Sequence, residues 1–131
     1  MGVKPRLVAD TNAIVDLLRV DRRDPPPLRD SIVLLPLPVV GELFMGAHYS
    51  HRVDENLTRV EELAAELTIL HPDLATARVY GRLRGTTGAG AISPSRTNDL
   101  WIAALCIQHG LPLLTNDRGF ETIAELSVIH W

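Results

Sequence analysis

Leu7 Val8 Ala9 Asp10 Thr11 Asn12 is the stretch on which the reading of this chain turns. Three apolar residues run into an acid, and a helical repeat follows at once. Ile14, Leu17 and Leu18 stand at i, i+3 and i+4, with Thr11 or Asn12 as the expected helix cap. The pattern is a buried strand that delivers a carboxylate to its own end and turns into a helix. That helix is predicted to stop near Arg19, because Asp21 Arg22 Arg23 Asp24 is charged and Pro25 Pro26 Pro27 cannot donate the hydrogen bonds a helix needs.

Outward from this unit the alternation repeats. Residues 31–35 are apolar after Ser31, as strands covered on both faces are, and Pro36 and Pro38 are expected to close them before a helix over about 39–47. Asp54 or Asn56 is the expected cap of the next helix, whose stripe is Leu57, Val60, Leu63, Ala64 and Leu67. A short strand over 67–70 leads to Pro72 Asp73, which opens a helix carrying Ala75, Val79 and Leu83. Residues 85–90 form a glycine-rich connector. It is no phosphate-binding loop, since Ala91 and Ile92 stand where Lys and Ser or Thr would hold phosphate and magnesium. Thr97 Asn98 starts the most apolar helix, ended by His109 Gly110. Strands over 112–115 and 127–129, with a short helix within 117–126, complete the pattern. Strands alternating with helices predict an α/β fold with a mainly parallel sheet. No repeat or linker divides the chain, so residues 1–131 are expected to form one domain.

The totals agree. A chain of 131 residues buries roughly two-thirds of the surface it exposes when unfolded. The 46% hydrophobic and 22% charged fractions exclude disordered and fibrous classes. The net charge of -3 argues against nucleic-acid binding through a broad basic surface, leaving clustered arginines or metal ions to supply the attraction. Cys106, the only cysteine, lies among Ala103, Ala104, Leu105 and Ile107 and reads as a packing residue. The apolar run 32–40 is too short for a membrane span, and the first residues lack the apolar core of a signal peptide, so a cytoplasmic location is expected.

Glu42, Asp99 and Asp117 fall at breakpoints comparable to that of Asp10. In an open parallel sheet ligands bind beyond the carboxyl ends of the strands, and all four acids can reach that edge. Singly, each is explained as a cap or a surface charge. Together they repel, and a divalent ion with oxygen ligands, Mg²⁺ or Mn²⁺, is the natural offset. His48 and His51 offer a zinc alternative if they share a helix face, but no Cys partner or His-Glu-x-x-His pattern accompanies them. Asp10 as a phosphatase nucleophile would want a second Asp where Asn12 stands.

The stretches Val8 Ala9 Asp10 Thr11 Asn12, Val40 Gly41 Glu42 Leu43 Phe44 Met45 Gly46 Ala47, Asn98 Asp99 Leu100 Trp101 Ile102 Ala103 Ala104 and Leu114 Thr115 Asn116 Asp117 Arg118 Gly119 Phe120 occur in that order. In this the chain resembles the PIN-domain nucleases, and within them the VapC-type toxins of toxin-antitoxin pairs. The resemblance implies a three-layer α/β/α sandwich and metal-dependent endoribonuclease activity, in which water activated by Mg²⁺ or Mn²⁺ hydrolyses the RNA phosphodiester. It assigns metal binding and catalysis to Asp10, Glu42, Asp99 and Asp117, with Asn12 and Thr115 at supporting polar positions. It further implies a homodimer and a cognate antitoxin. Arg78, Arg82, Arg96 and Arg118 are candidates for holding the RNA backbone. The proline-rich segment 20–30 is short where many relatives carry a further helix. The competing expectation is a catalytically weak module of the same fold that only binds RNA or a protein.

Overall fold

A computed structural model describes residues 2–18, 28, 30–86 and 96–131. Its central strand is β1 (Arg6–Ala9), in which Leu7, Val8 and Ala9 are all buried. On one side of β1 lies β2 (Ile32–Pro36), followed by β3 (Thr68–Leu70); on the other lie β4 (Leu113–Leu114) and β5 (Val128–Ile129). The order is therefore β3-β2-β1-β4-β5, and every pair is parallel. Strand order reverses direction between β1 and β4, which opens a crevice at their carboxyl ends. Asp10 and Thr115 are the next residues after these two strands.

Five described helices flank the sheet: α1 (Thr11–Leu18), α2 (Leu37–His48), α3 (Val53–Glu66), α4 (Leu74–Thr86) and α5 (Thr97–His109). A 3₁₀ turn spans Arg118–Thr122. The α/β/α sandwich with a parallel sheet is the architecture expected from the sequence. Helix α2 packs on α3 and α4 on α5. Leu100, Ile102, Ala103, Ala104, Leu105 and Cys106 are all fully buried, so α5 is the helix most deeply embedded in the core. Burial pushes the Cys106 thiol well above its ordinary pKa, which keeps it a neutral packing group. Gly110, in the left-handed region at φ 64°, ends α5 and donates back to Cys106 and Ile107. No described helix is long and apolar enough to cross a membrane.

Several boundaries differ from those expected. Pro36 stays in β2, and Pro38 sits in the first turn of α2, where a missing amide hydrogen costs nothing. The cap of α1 is Asp10 itself: its carbonyl accepts from Ala13 and Ile14, and its Oδ1 from the Thr11 amide at 2.8 Å. Thr11 and Asn12 are thus already helical. Helix α3 starts at Val53 with Arg52 in the cap position, so Asp54 and Asn56 are already inside the helix and do not cap it; Asp54 and Glu55 instead place negative charge in its first turn. Helix α4 continues through Gly85 and Thr86, while the rest of the glycine-rich connector lies outside the described residues, as does most of segment 20–30. His51 falls between α2 and α3, so it shares no helix face with His48.

Truncating Leu105 to Ala, at the centre of this core, is expected to cost ~2–5 kcal/mol. Urea unfolding followed by circular dichroism measures it; a loss below about 1 kcal/mol would mean that α5 is not a core element.

Candidate metal centre

Four loops and helix starts converge at the crevice. Asp10 is brought there by β1, Glu42 by the second turn of α2, Asp99 by the first turn of α5, and Asp117 by the loop after β4. The carboxylates are close enough to repel: Asp10 feels Glu42 and Asp117, and Asp99 feels Asp10, Asp117 and Glu42.

The most constrained is Asp10, only 6% exposed. Its Oδ2 accepts from the fully buried Thr115 hydroxyl at 2.8 Å, and that same hydroxyl accepts from the Asp117 amide at 3.0 Å. One side chain therefore positions two acids. The Asp10 amide also donates to the Leu114 carbonyl, so the acid is anchored to β4 from its backbone as well. Glu42 is held by two donors: the Thr11 hydroxyl on Oε2 and, at 3.3 Å, Asn98 Nδ2 on Oε1. These bonds tie α2 to the starts of α1 and α5.

Arg96, at the residue before α5, bridges the other two acids. Its Nη2 lies 2.9 Å from Asp99 Oδ2 and 3.0 Å from Asp117 Oδ2. The second oxygen of Asp117 accepts from the Gly119 amide at 2.8 Å. Burial raises the pKa of both Asp10 and Asp99. For Asp10 the bonds from Thr115 and Thr11 oppose the rise, and Glu42 and Asp117 add to it. For Asp99 the Arg96 cation opposes it, while Asp10, Asp117 and Glu42 push further upward.

Of the remaining sequence candidates, Asn12 donates to Asn116 at 3.1 Å, linking α1 to the loop between Thr115 and Asp117. Arg82 pairs with Glu125 on the surface, and Arg78 and Arg118 are exposed. Sequence reasoning had not singled out Thr11 or Asn98 as partners of Glu42, nor Arg96 as a partner of acids. The available signal was adjacency, since Thr11 follows Asp10 and Asn98 precedes Asp99. Beside Glu42 a cleft of about 430 Å³ opens between α1, α2 and α3, lined by Thr11, Val15, Gly46, Arg59 and Val60 among others.

Hard carboxylate oxygens that repel one another, two of them with pKa values raised by burial and crowding, form a donor set suited to Mg²⁺ or Mn²⁺. Among the described residues no three His, Cys, Asp or Glu side chains already stand at ligand spacing around one point. The guanidinium of Arg96 lies between two of the four instead.

A model of the PIN domain matches residues 7–126. The chain is 26% identical over 128 residues to ribonuclease VapC1 of Haemophilus influenzae, covering 93% of this chain and 95% of that one. It is 30% identical over 93 residues, 70% of each chain, to ribonuclease VapC2 of the same species. The fold superposes with a TM-score of 0.72 and 25% identity on VapBC-5 from Mycobacterium tuberculosis, a member of the VapBC family of toxin-antitoxin systems, over 96% of this chain and 98% of that one.

With metal ions chelated, Asp10→Asn removes a buried charge and keeps an oxygen for the Thr11 amide, while the bond that the Thr115 hydroxyl donates to Oδ2 is lost at every pH. Between the ordinary carboxylate value near 3.8 and the raised folded value, the folded chain holds the Asp10 proton more tightly than the unfolded chain does. Stability is therefore lost as pH rises through that window, and the penalty is complete above it. Asp10→Asn is expected to melt above the parent at pH 7, by ~4 °C per kcal/mol relieved. The gap should close as pH approaches 3.8. A difference between variant and parent that does not move in the variant's favour between pH 3.8 and pH 7 would contradict this electrostatic account.

Proposed function

The chain belongs to the PIN-domain family, and on that premise we propose that it is a VapC-type, metal-dependent endoribonuclease, the toxin of a toxin-antitoxin pair. The observation that carries the reading is the meeting of Asp10, Glu42, Asp99 and Asp117 at the crevice between β1 and β4, where their mutual repulsion calls for a cation. We read residues 1–131 as one nuclease domain, acting in the cytoplasm as a homodimer.

In this reading Asp10, Glu42, Asp99 and Asp117 hold the ion. A bound Mg²⁺ or Mn²⁺ supplies charge for the scissile phosphate and a water of lowered pKa for hydrolysis. The protein's own contribution is orientation. Thr115 fixes one oxygen of Asp10 and the backbone of Asp117, so these two carboxylates reach the substrate side of the sheet already aimed. Thr11 and Asn98 do the same for Glu42. The exposed Arg78 and Arg118 are the candidates for contact with the RNA backbone. Single-stranded or looped RNA fits such an edge better than a regular duplex, whose bases lie in a deep, narrow groove. The cleft beside Glu42 supports the assignment of an antitoxin partner, because it adjoins the acidic centre and offers apolar Val15 and Val60 next to Arg59.

The decisive measurement is sequencing of RNA ends after incubation of the purified chain with Mg²⁺ or Mn²⁺. New ends are expected with the parent, falling at least about a hundredfold in Asp99→Asn, since the loss of a direct ligand should exceed that of a mere supporting partner. Ends produced equally by Asp99→Asn would remove the assignment. RNA bound by the parent without any new ends would instead favour the binding module.

A further inference from the structure

Arg96 is held in a niche built for its guanidinium. Two carboxylate oxygens, from Asp99 and Asp117, meet the same Nη2 at 2.9 and 3.0 Å. The Phe120 ring faces its Cζ at 5.7 Å. The remaining side is left open by Gly119: a Cβ at that position would fall 1.9 Å from Arg96 Nη1 and 2.4 Å from Cζ and Nη2. Gly119 has no positive φ to explain its identity. What its missing side chain provides is space for the cation. The Gly119 amide meanwhile donates to Asp117 Oδ1, so the residue that makes room for Arg96 also steadies the acid Arg96 grips.

This arrangement places a monovalent cation on two of the oxygens assigned above to a divalent one. We propose that Arg96 is an internal counter-ion of the acidic centre, which stabilises the metal-free protein and must leave Asp99 and Asp117 when the divalent ion binds, thereby setting the metal affinity. The inference rests on the metal-site reading of the four acids. A guanidinium and a divalent ion compete for these two carboxylates, because Nη2 occupies a lone pair on Oδ2 of each and its positive charge repels a second cation at this range. The competition is moderate. Arg96, Asp99 and Asp117 have side chains 32%, 25% and 41% exposed, so water screens part of their attraction and softens the exchange.

The opposite role is equally definite in its consequences. If Arg96 instead orients Asp99 and Asp117 for the metal and stays bound to them, its removal should weaken metal binding.

Two substitutions separate these. Arg96→Gln removes the charge. Gly119→Ala keeps the charge and the Gly119 amide but fills the niche, and the atoms nearest its new Cβ all belong to the mobile end of Arg96, so the side chain moves and the backbone need not. Mn²⁺ binding is measured by calorimetry, and melting is measured in chelator and with Mn²⁺. Both variants are expected to bind Mn²⁺ about tenfold more tightly than the parent, the size expected for two partly exposed ion pairs together. Both should also melt lower in chelator and gain more from Mn²⁺. Weaker or unchanged Mn²⁺ binding in Arg96→Gln, with the parent binding normally, overturns the counter-ion role and leaves the metal site standing. If the parent and both variants all fail to bind Mn²⁺ or Mg²⁺, the metal-site reading falls and the counter-ion role falls with it.

Discussion

The Thr115 hydroxyl, donating to Asp10 Oδ2 and accepting from the Asp117 amide, is the contact on which the arrangement of the crevice depends. A hydroxyl has one hydrogen to give and lone pairs to receive, and here both uses are directed at the same problem. Negative groups from two neighbouring loops must stay close without the strands parting. Because Thr115 is itself fully buried at the end of β4, its rotamer is fixed by packing, and the two acids inherit that rigidity. The parallel pairing of Val8 with Leu113 and of Ala9 with Leu114 sets the register that brings Thr115 level with Asp10. A slip of one residue would turn Thr115 to the other face of the sheet and leave Asp10 without its donor.

The positioning of the other two acids follows from helix starts rather than from strands. Glu42 lies one turn into α2, beyond the end of β2, and is met by donors from the first turns of α1 and α5. Asp99 lies in the first turn of α5, where the helix dipole favours a negative charge, and Arg96 stands one turn before it. Among the described residues no buried side-chain nitrogen or oxygen lacks a partner, so what burial costs at Asp10 and Asp99 is desolvation of charge and not an unmade hydrogen bond.

The sheet and the acids were legible in the sequence because both are written in local patterns. Leu7 Val8 Ala9 and the run from Ile32 to Leu35 are apolar without alternation, as parallel strands buried on both faces are, and each acid stands at a break in an apolar segment: Asp10, Glu42 and Asp117 at or just past its end, Asp99 at its start. Helix boundaries were less legible, since competing signals adjoin. Pro36 and Pro38 read as terminators by composition, yet Pro at a helix start is favourable, and only the three-dimensional course of the chain decides between the two. Arg96 illustrates a different limit. An arginine outside an acidic motif reads as an RNA contact, and nothing in its neighbours reveals that Asp117, twenty-one positions away, folds back onto it. Gly119 was equally opaque, because the space it leaves has meaning only once Arg96 occupies it.

The four acids therefore divide by the kind of group that offsets their charge. Asp10 and Glu42 are held by neutral donors, the hydroxyls of Thr115 and Thr11 and the amide of Asn98, which stabilise a carboxylate without cancelling it. Asp99 and Asp117 share a full positive charge on a flexible side chain. Neutral donors can stay in place when a cation arrives, because they point at lone pairs and do not repel it. A guanidinium does repel it. On the proposed reading the neutral donors stay with Asp10 and Glu42 while Arg96 gives way at Asp99 and Asp117, and the two pairs are joined through Thr115, whose hydroxyl holds both Asp10 and the Asp117 amide.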